Sequence, residues 1–157
     1  MVLKNKRGFS LKRLYLQTIG RCLPTDLFAK RFPVSVKGVV AIDGQVVLVQ
    51  NEHGHWDLPG GKLHGGESFQ DCLTREMKEE LGIAVTVGGL IDMVQIRVRG
   101  WVTVIVPIYQ CVTSARPGDL RLSAENSDMA LFSLHEISSL AINEHYRKLL
   151  LHQPQLV

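Results

Sequence analysis

The spacing of apolar and polar positions predicts a chain that mixes strands with helices. Two apolar, β-branched runs, Val34 to Ile42 and Gln45 to Gln50, meet at Asp43-Gly44, a pair typical of a two-residue hairpin turn. Further strands are predicted at 84–87, 90–98, 101–112 and 128–133, and shorter helices at 134–140 and 143–152. The pattern favours a single α+β domain over residues 33–157.

The segment from Phe69 to Leu81 has a clear helical pattern. Its apolar positions recur every four residues, at Leu73, Met77 and Leu81. Ser68, followed three residues later by Asp71, has the spacing of a capping box at a helix start. Gly82 suits the left-handed conformation that commonly follows a helix. We therefore expect a helix from Phe69 to Leu81 with one buried face.

The first part of the chain differs from the rest in charge. Residues 1–31 carry eight basic side chains against one acid, Asp26, so the other 126 residues have a net charge of −4. An approximate helical stripe ends at Gly20 or Pro24, and we expect a basic, helical N-terminal extension over residues 1–32. Nucleic acid or phosphate could be attracted to it, but no aromatic interleaving or nucleic-acid motif accompanies the charge. We favour an amphipathic helix that packs on its own domain or on a partner subunit.

Composition narrows the class of protein. The chain has 157 residues, 45% of them hydrophobic and 21% charged, which is typical of one soluble globular domain. No apolar run approaches the ~20 residues that span a bilayer, and the basic start lacks a secretory signal pattern. Cys22, Cys72 and Cys111 are isolated and lack metal-ligand spacing. We expect a cytoplasmic protein with structural thiols and no membrane partner.

Three carboxylates lie close together on the predicted helix. At roughly 100° of rotation per residue, the side chains of Glu76, Glu79 and Glu80 fall within about 100° of arc on one face. Like charges this close destabilise an ordinary helix. The arrangement makes sense if a hard divalent cation such as Mg²⁺ lies among the three, because such ions take oxygen ligands.

The spacing around these acids matches a known motif at every fixed position. Five residues separate Gly61 from Glu67, and seven more lead to the run Arg75-Glu76-Met77-Lys78-Glu79-Glu80-Leu81-Gly82-Ile83. This is the pattern of the Nudix box, with Met77 as its first aliphatic position. The flanks are similar too, with Trp-Asp-Leu-Pro-Gly-Gly before the box and Glu125 and Asp128 after it. The chain therefore resembles the Nudix hydrolase family.

The resemblance implies an α/β/α sandwich around a mixed β-sheet and hydrolysis of a nucleoside diphosphate linked to another moiety. Attack by a water activated by Mg²⁺ or Mn²⁺ is implied, since the ion offsets the charge of the pyrophosphate. By position, Glu76 and Glu80 are implied as direct metal ligands, and Glu79 as a third ligand or the general base. Glu125, where many members have a loop glutamate, is the other implied base.

Several further residues are expected at the site. Glu67 and Arg75 are implied as a pair that ties the loop to the helix, and the Gly60 carbonyl as a further metal ligand. The substrate-binding positions that we expect are Gly60, Gly61, Trp56 and Arg97. Trp56 could stack on a base or ribose, or simply pack beside Leu58-Pro59. Arg97 could hold a phosphate or lie on a solvated face.

Two other functions stay open at this point. A Nudix-like protein can bind nucleotides as a sensor or scaffold without cleaving them, although such proteins usually have a degenerate box. An RNA 5′-end pyrophosphohydrolase would give the basic extension a role, but we do not favour a nucleic-acid partner. Substrates compatible with the pattern are nucleotide sugars, ADP-ribose and nucleoside triphosphates. Members of the family often form dimers, so a homodimer is a further option.

Overall fold

The computed structural model describes residues 32–51, 53–98, 100–123 and 126–156. The predicted N-terminal extension, apart from Phe32, and the predicted base Glu125 lie outside the described residues. In the described part of the chain, no helix is both long and apolar enough to pass through a bilayer.

The described residues contain one six-stranded sheet. Its strands are β1 (Lys37–Ile42), β2 (Gln45–Gln50), β3 (Trp56–Asp57), β4 (Thr86–Val98), β5 (Val102–Val112) and β6 (Asp128–Phe132). The strand order is β3-β2-β1-β5-β4, and β6 also pairs with β2. β1 runs parallel to β5, with Lys37 opposite Ile108, while the other pairs are antiparallel. The sheet is therefore mixed, as predicted.

The turn between β1 and β2 confirms the predicted hairpin. Asp43 has φ 52° and Gly44 has φ 75°, so both central residues are left-handed. A two-residue turn of this kind matches the right-handed twist of the flanking strands, and aspartate followed by glycine adopts it at low cost.

The predicted break between residues 87 and 90 is wrong. β4 is continuous from Thr86 to Val98 and passes through Gly88 and Gly89. Its register against β5 shifts between Val87 and Asp92, which is the irregularity of a β-bulge. Glycines that weaken a strand in isolation are accommodated here because pairing with β5 outweighs their low strand propensity.

Three helices of four residues or more lie within the described residues: α1 (Phe69–Leu81), α2 (Leu134–Ile137) and α3 (Glu144–His152). Both ends of α1 are confirmed. Ser68 Oγ accepts a hydrogen bond from Asp71 N, the Asp71 carboxylate accepts one from Ser68 N, and Gly82 has φ 73°. The helix predicted at 134–140 is three residues too long, because Ser138 Oγ and Ser139 Oγ bond to carbonyls of the preceding turn.

Helices cover both faces of the sheet, so the predicted α/β/α sandwich is confirmed. On one face the apolar stripe of α1 packs against the strands, and Leu73, Met77 and Leu81 are fully buried. On the other face α2 and α3 contribute Ile137, Tyr146, Leu149 and Leu150 to a second core. The buried Cys72 and Cys111 are unpaired thiols of the first core, and burial raises the pKa of each to about 12.

Replacement of Leu73 by alanine tests the packing of α1. Leu73 is fully buried between α1 and the sheet, so Leu73→Ala should lower the free energy of unfolding by about 2–5 kcal/mol, measured by urea denaturation. The matched control is Leu90→Ala, because Leu90 is 49% exposed, and it should change stability by less than about 1 kcal/mol. Equal losses in both variants would contradict this packing.

Candidate active site

The glycine-rich loop before α1 lies along the start of β1 like an additional strand. Three backbone hydrogen bonds fix it: Val36 N to Gly61 O at 2.8 Å, Gly38 N to Pro59 O at 3.0 Å, and Leu63 N to Val34 O at 3.0 Å. The loop therefore has a set position relative to the sheet before any side chain is considered.

Two glycines in this loop allow close approach of other groups. Gly60 has φ 124°, and a Cβ added there would lie 2.2 Å from Val36 O. At Gly61 an added Cβ would lie 2.3 Å from Oε1 of Glu76. Neither position accepts a side chain without local rearrangement, so the loop backbone and the carboxylate of Glu76 meet directly.

Arg75 donates hydrogen bonds to several different residues of the site. Its Nε and Nη2 donate to the two carboxylate oxygens of Glu67 at 2.8 and 3.2 Å. Its Nη1 donates to Glu76 Oε1 at 2.7 Å and to Glu79 Oε2 at 3.0 Å. A further bond runs from Nη2 to Lys62 O at 3.3 Å. Arg75 therefore ties the loop to α1 through Glu67 and also offsets the repulsion between Glu76 and Glu79.

Glu80 is half-buried and held at both oxygens. Oε2 accepts a hydrogen bond from Gly60 N at 2.7 Å, and Oε1 accepts one from Asn126 Nδ2 at 3.2 Å. Burial raises the pKa of Glu80, although the bond from Gly60 and the nearby charge of Lys37 act in the opposite direction. The structure thus gives Glu80 a fixed orientation, whereas the side chain of Glu79 is 60% exposed.

The three predicted metal ligands line one cleft of about 360 Å³. Its lining residues are Gly61, Lys62, His64, Arg75, Glu76, Glu79 and Glu80. Within the described ranges, no three acidic, histidine or cysteine side chains are arranged as a formed ion site. Instead, Arg75 bridges Glu76 and Glu79 in this arrangement. The structure brings the predicted carboxylates together, with the guanidinium group among them.

A second cavity, of about 340 Å³, is lined by residues from β1, β3, β4 and β5, among others. One wall is apolar and comes from β4 and β5: Ile96, Val98, Val104 and Val106. Trp56 lines it too and packs edge-on against Phe132 at 4.7 Å between ring centroids. Polar groups come from Asn51, His55, Asp57 and Asn143. Arg97 is not brought to this cavity, because it alternates with Ile96 and Val98 along β4.

Lys37 is a site residue that sequence reasoning missed. Its Nζ donates to Leu58 O at 2.8 Å and Gly60 O at 2.9 Å, and it pairs with Asp57 Oδ2 at 3.0 Å. All three ammonium protons therefore have acceptors. The Gly60 carbonyl, expected to bind the metal, is thus already a hydrogen-bond acceptor of Lys37. The available signal was a single lysine within the apolar run from Val34 to Ile42.

Comparison with known proteins agrees with the motif and the fold. A family model described as the NUDIX domain matches residues 31–153. The chain belongs to the Nudix family. A solved structure of a MutT protein from Methanosarcina mazei Go1 shares the fold with this Nudix chain at a TM-score of 0.69 and 25% identity, covering 81% of this chain and 95% of that one.

Two curated relatives carry names of enzymes. The CTP pyrophosphohydrolase of Escherichia coli is 37% identical over 70 residues, which is 41% of this Nudix chain and 52% of that protein. The ADP-ribose pyrophosphatase of Methanocaldococcus jannaschii is 27% identical over 117 residues, 70% of this chain and 67% of that protein. The chain thus spans about half to two thirds of the length of these relatives.

The Glu67–Arg75 pair should make the free energy of unfolding depend on pH in the acidic range. The hydrogen bond from Arg75 holds the pKa of Glu67 at about 2, below its ordinary 4.5. Stability from this pair is therefore present above pH 4.5 and is lost as the pH falls towards 2. Glu67→Gln should be less stable than wild type at pH 7, and the gap should narrow steadily below pH 4.5 in denaturant titrations. A gap that stays constant from pH 7 to pH 2.5 would contradict the shift.

Proposed function

We propose that this Nudix chain hydrolyses a pyrophosphate bond in a nucleoside diphosphate derivative, with Mg²⁺ or Mn²⁺ held by Glu76, Glu79 and Glu80. One observation carries the proposal: Glu76, Glu79 and Glu80 line one cleft, and Gly60 is hydrogen-bonded both to this cleft and to the wall of the second cavity. The N–H of Gly60 bonds to Glu80, and its carbonyl bonds to Lys37, which lines that cavity. In this proposal, a diphosphate in the cleft places its nucleoside in the cavity.

The donor set fits a hard divalent cation. The cleft offers carboxylate oxygens from one helical turn, and no thiol or imidazole is needed to complete such a set. Gly61 leaves room beside Glu76, because a larger residue would collide with its carboxylate. When bound, the ion supplies positive charge against the diphosphate and polarises the attacking water.

The residues of the chain have separate tasks in this scheme. Gly60 N–H orients Glu80, and Arg75 holds the loop against α1 while it shares the charge of Glu76 and Glu79. Glu79 is the exposed acid of the three, and it is either the third ligand or the base that accepts a proton from water. Glu125 is the alternative base, and it lies outside the described residues.

The cavity supports a substrate with a nucleoside portion. Its apolar wall and Trp56 offer surfaces for a base, while Asp57, Asn143 and His55 offer polar contacts for a base edge or ribose. The relatives' names, a CTP pyrophosphohydrolase and an ADP-ribose pyrophosphatase, both refer to pyrophosphate-linked nucleotides. They support a small-molecule nucleotide partner while differing in base and in leaving group.

Substitution of Glu80 tests the hydrolase. With a panel of CTP, 8-oxo-dGTP and ADP-ribose, wild type should release phosphate-containing products only with Mg²⁺ or Mn²⁺, followed by ³¹P NMR. Glu80→Gln should lower kcat by about 10²–10³-fold, because several kcal/mol of metal-derived stabilisation is lost.

The matched control is Glu136→Gln, an exposed acid in the capping box of α2, and it should retain wild-type kcat. Tight nucleotide binding by wild type without turnover on any substrate would favour the non-catalytic sensor instead.

Filling the cavity tests where the nucleoside lies. Val104→Phe places an aromatic ring in the cavity and should raise KM for an accepted nucleotide by roughly tenfold or more. The reason is that a well-fitted group contributes about 1–3 kcal/mol to substrate binding. Thr103→Phe, the neighbour on the opposite face of β5, is the control and should leave KM unchanged. Equal KM values in the two variants would place the nucleoside elsewhere.

A further inference from the structure

The segment between β5 and β6 is attached to the C-terminal end of α1. Arg121 N donates to Leu81 O at 2.9 Å, and Ser123 N donates to Glu80 O at 3.3 Å. Asn126 then donates from its side chain to Glu80 Oε1 at 3.2 Å. Glu80 is therefore held by this segment through both its main chain and its carboxylate.

The residue after Asn126 is anchored to the opposite side of the site. Ser127 N donates to Gln50 O at 3.0 Å, and Ser127 Oγ donates to Asn51 O at 3.0 Å. Asn126 thus directly precedes an attachment to the end of β2, and its own amide makes a contact with α1 through Glu80.

The hydrogen bonds to Glu80 leave capacity for a ligand. Gly60 N occupies one lone pair of Oε2, and Asn126 Nδ2 occupies one lone pair of Oε1. Each carboxylate oxygen has two such positions, so one on each oxygen is still available. Two donors on opposite oxygens fix the rotation of a carboxylate more tightly than either alone.

We propose that Asn126 is a positioning residue that sets the carboxylate of Glu80 for cation binding. The inference rests on the proposed function, in which Glu80 is a ligand. An amide suits this task because it donates a proton without adding negative charge. An aspartate here would remove the donor and place a fourth acid beside the three. Asn126 itself contacts neither substrate nor the attacking water.

The experiment measures Mn²⁺ binding without substrate, by electron paramagnetic resonance of the free ion, in the full chain. Asn126→Leu removes the donor at similar size. It should weaken Mn²⁺ affinity by about 10–100-fold, the usual effect of removing a partner of a metal ligand. At saturating Mn²⁺, KM for the nucleotide should stay within about twofold, because the cavity is untouched.

Two controls separate positioning from general damage. Leu122→Ala, on the same segment and 45% exposed, should bind Mn²⁺ as wild type does. In the Glu80→Gln background, adding Asn126→Leu should weaken Mn²⁺ binding by less than about twofold further, because the group that it positions has already been lost.

Unchanged Mn²⁺ affinity in Asn126→Leu would overturn the proposal. Full additivity with Glu80→Gln would also overturn it, since Asn126 would then act independently of Glu80. If the proposed hydrolase function is wrong, the result is different: wild type would bind Mn²⁺ but would hydrolyse no nucleotide. Circular dichroism of each variant confirms that the fold is retained, so that a loss of affinity is local.

Discussion

The candidate active site depends on one guanidinium group, that of Arg75. Three carboxylates within five residues of a helix repel one another, and a loop must also be held against them. Arg75 meets both requirements through its bonds to Glu67, Glu76 and Glu79. The bond to Glu67, with those to the other two acids, raises the pKa of Arg75 further above its already high value. Its charge is therefore present under all conditions in which the protein folds.

Lys37 and Gly60 connect the second cavity with the acidic cleft through hydrogen bonds. The ammonium group of Lys37 is saturated by Asp57, Leu58 O and Gly60 O. It therefore has no proton left to donate to a substrate phosphate. Instead, it holds the turn from Leu58 to Gly60 in place. Because the N–H of Gly60 donates to Glu80, Asp57 in the cavity wall is connected to the acidic cleft through three polar contacts, Asp57–Lys37, Lys37–Gly60 and Gly60–Glu80.

The features that the sequence predicted correctly are those that depend on residues close together in the chain. The bounds of α1 follow from Ser68, Gly82 and a regular apolar stripe, all of which are local, and the Nudix pattern identified the acids of the cleft. Lys37 and Asn126 escaped prediction because their partners are distant: Asn126 meets Glu80 across 46 positions of sequence. Such contacts are set by sheet pairing and by the path of a loop. β4 was divided in prediction for the same reason, since only β5 decides that Gly88 and Gly89 stay in the strand.

The parallel pairing of β1 with β5 has a consequence for how the protein is made. The Nudix motif ends at Ile83, yet its loop rests on Val34 to Gly38, and that stretch is joined to the sheet by β5. During synthesis the motif leaves the ribosome well before Val112. Contacts between positions so far apart form slowly. The candidate site is thus completed late in folding, and a nascent chain cut short after Ile83 would carry the complete motif without the β5 strand that supports its loop.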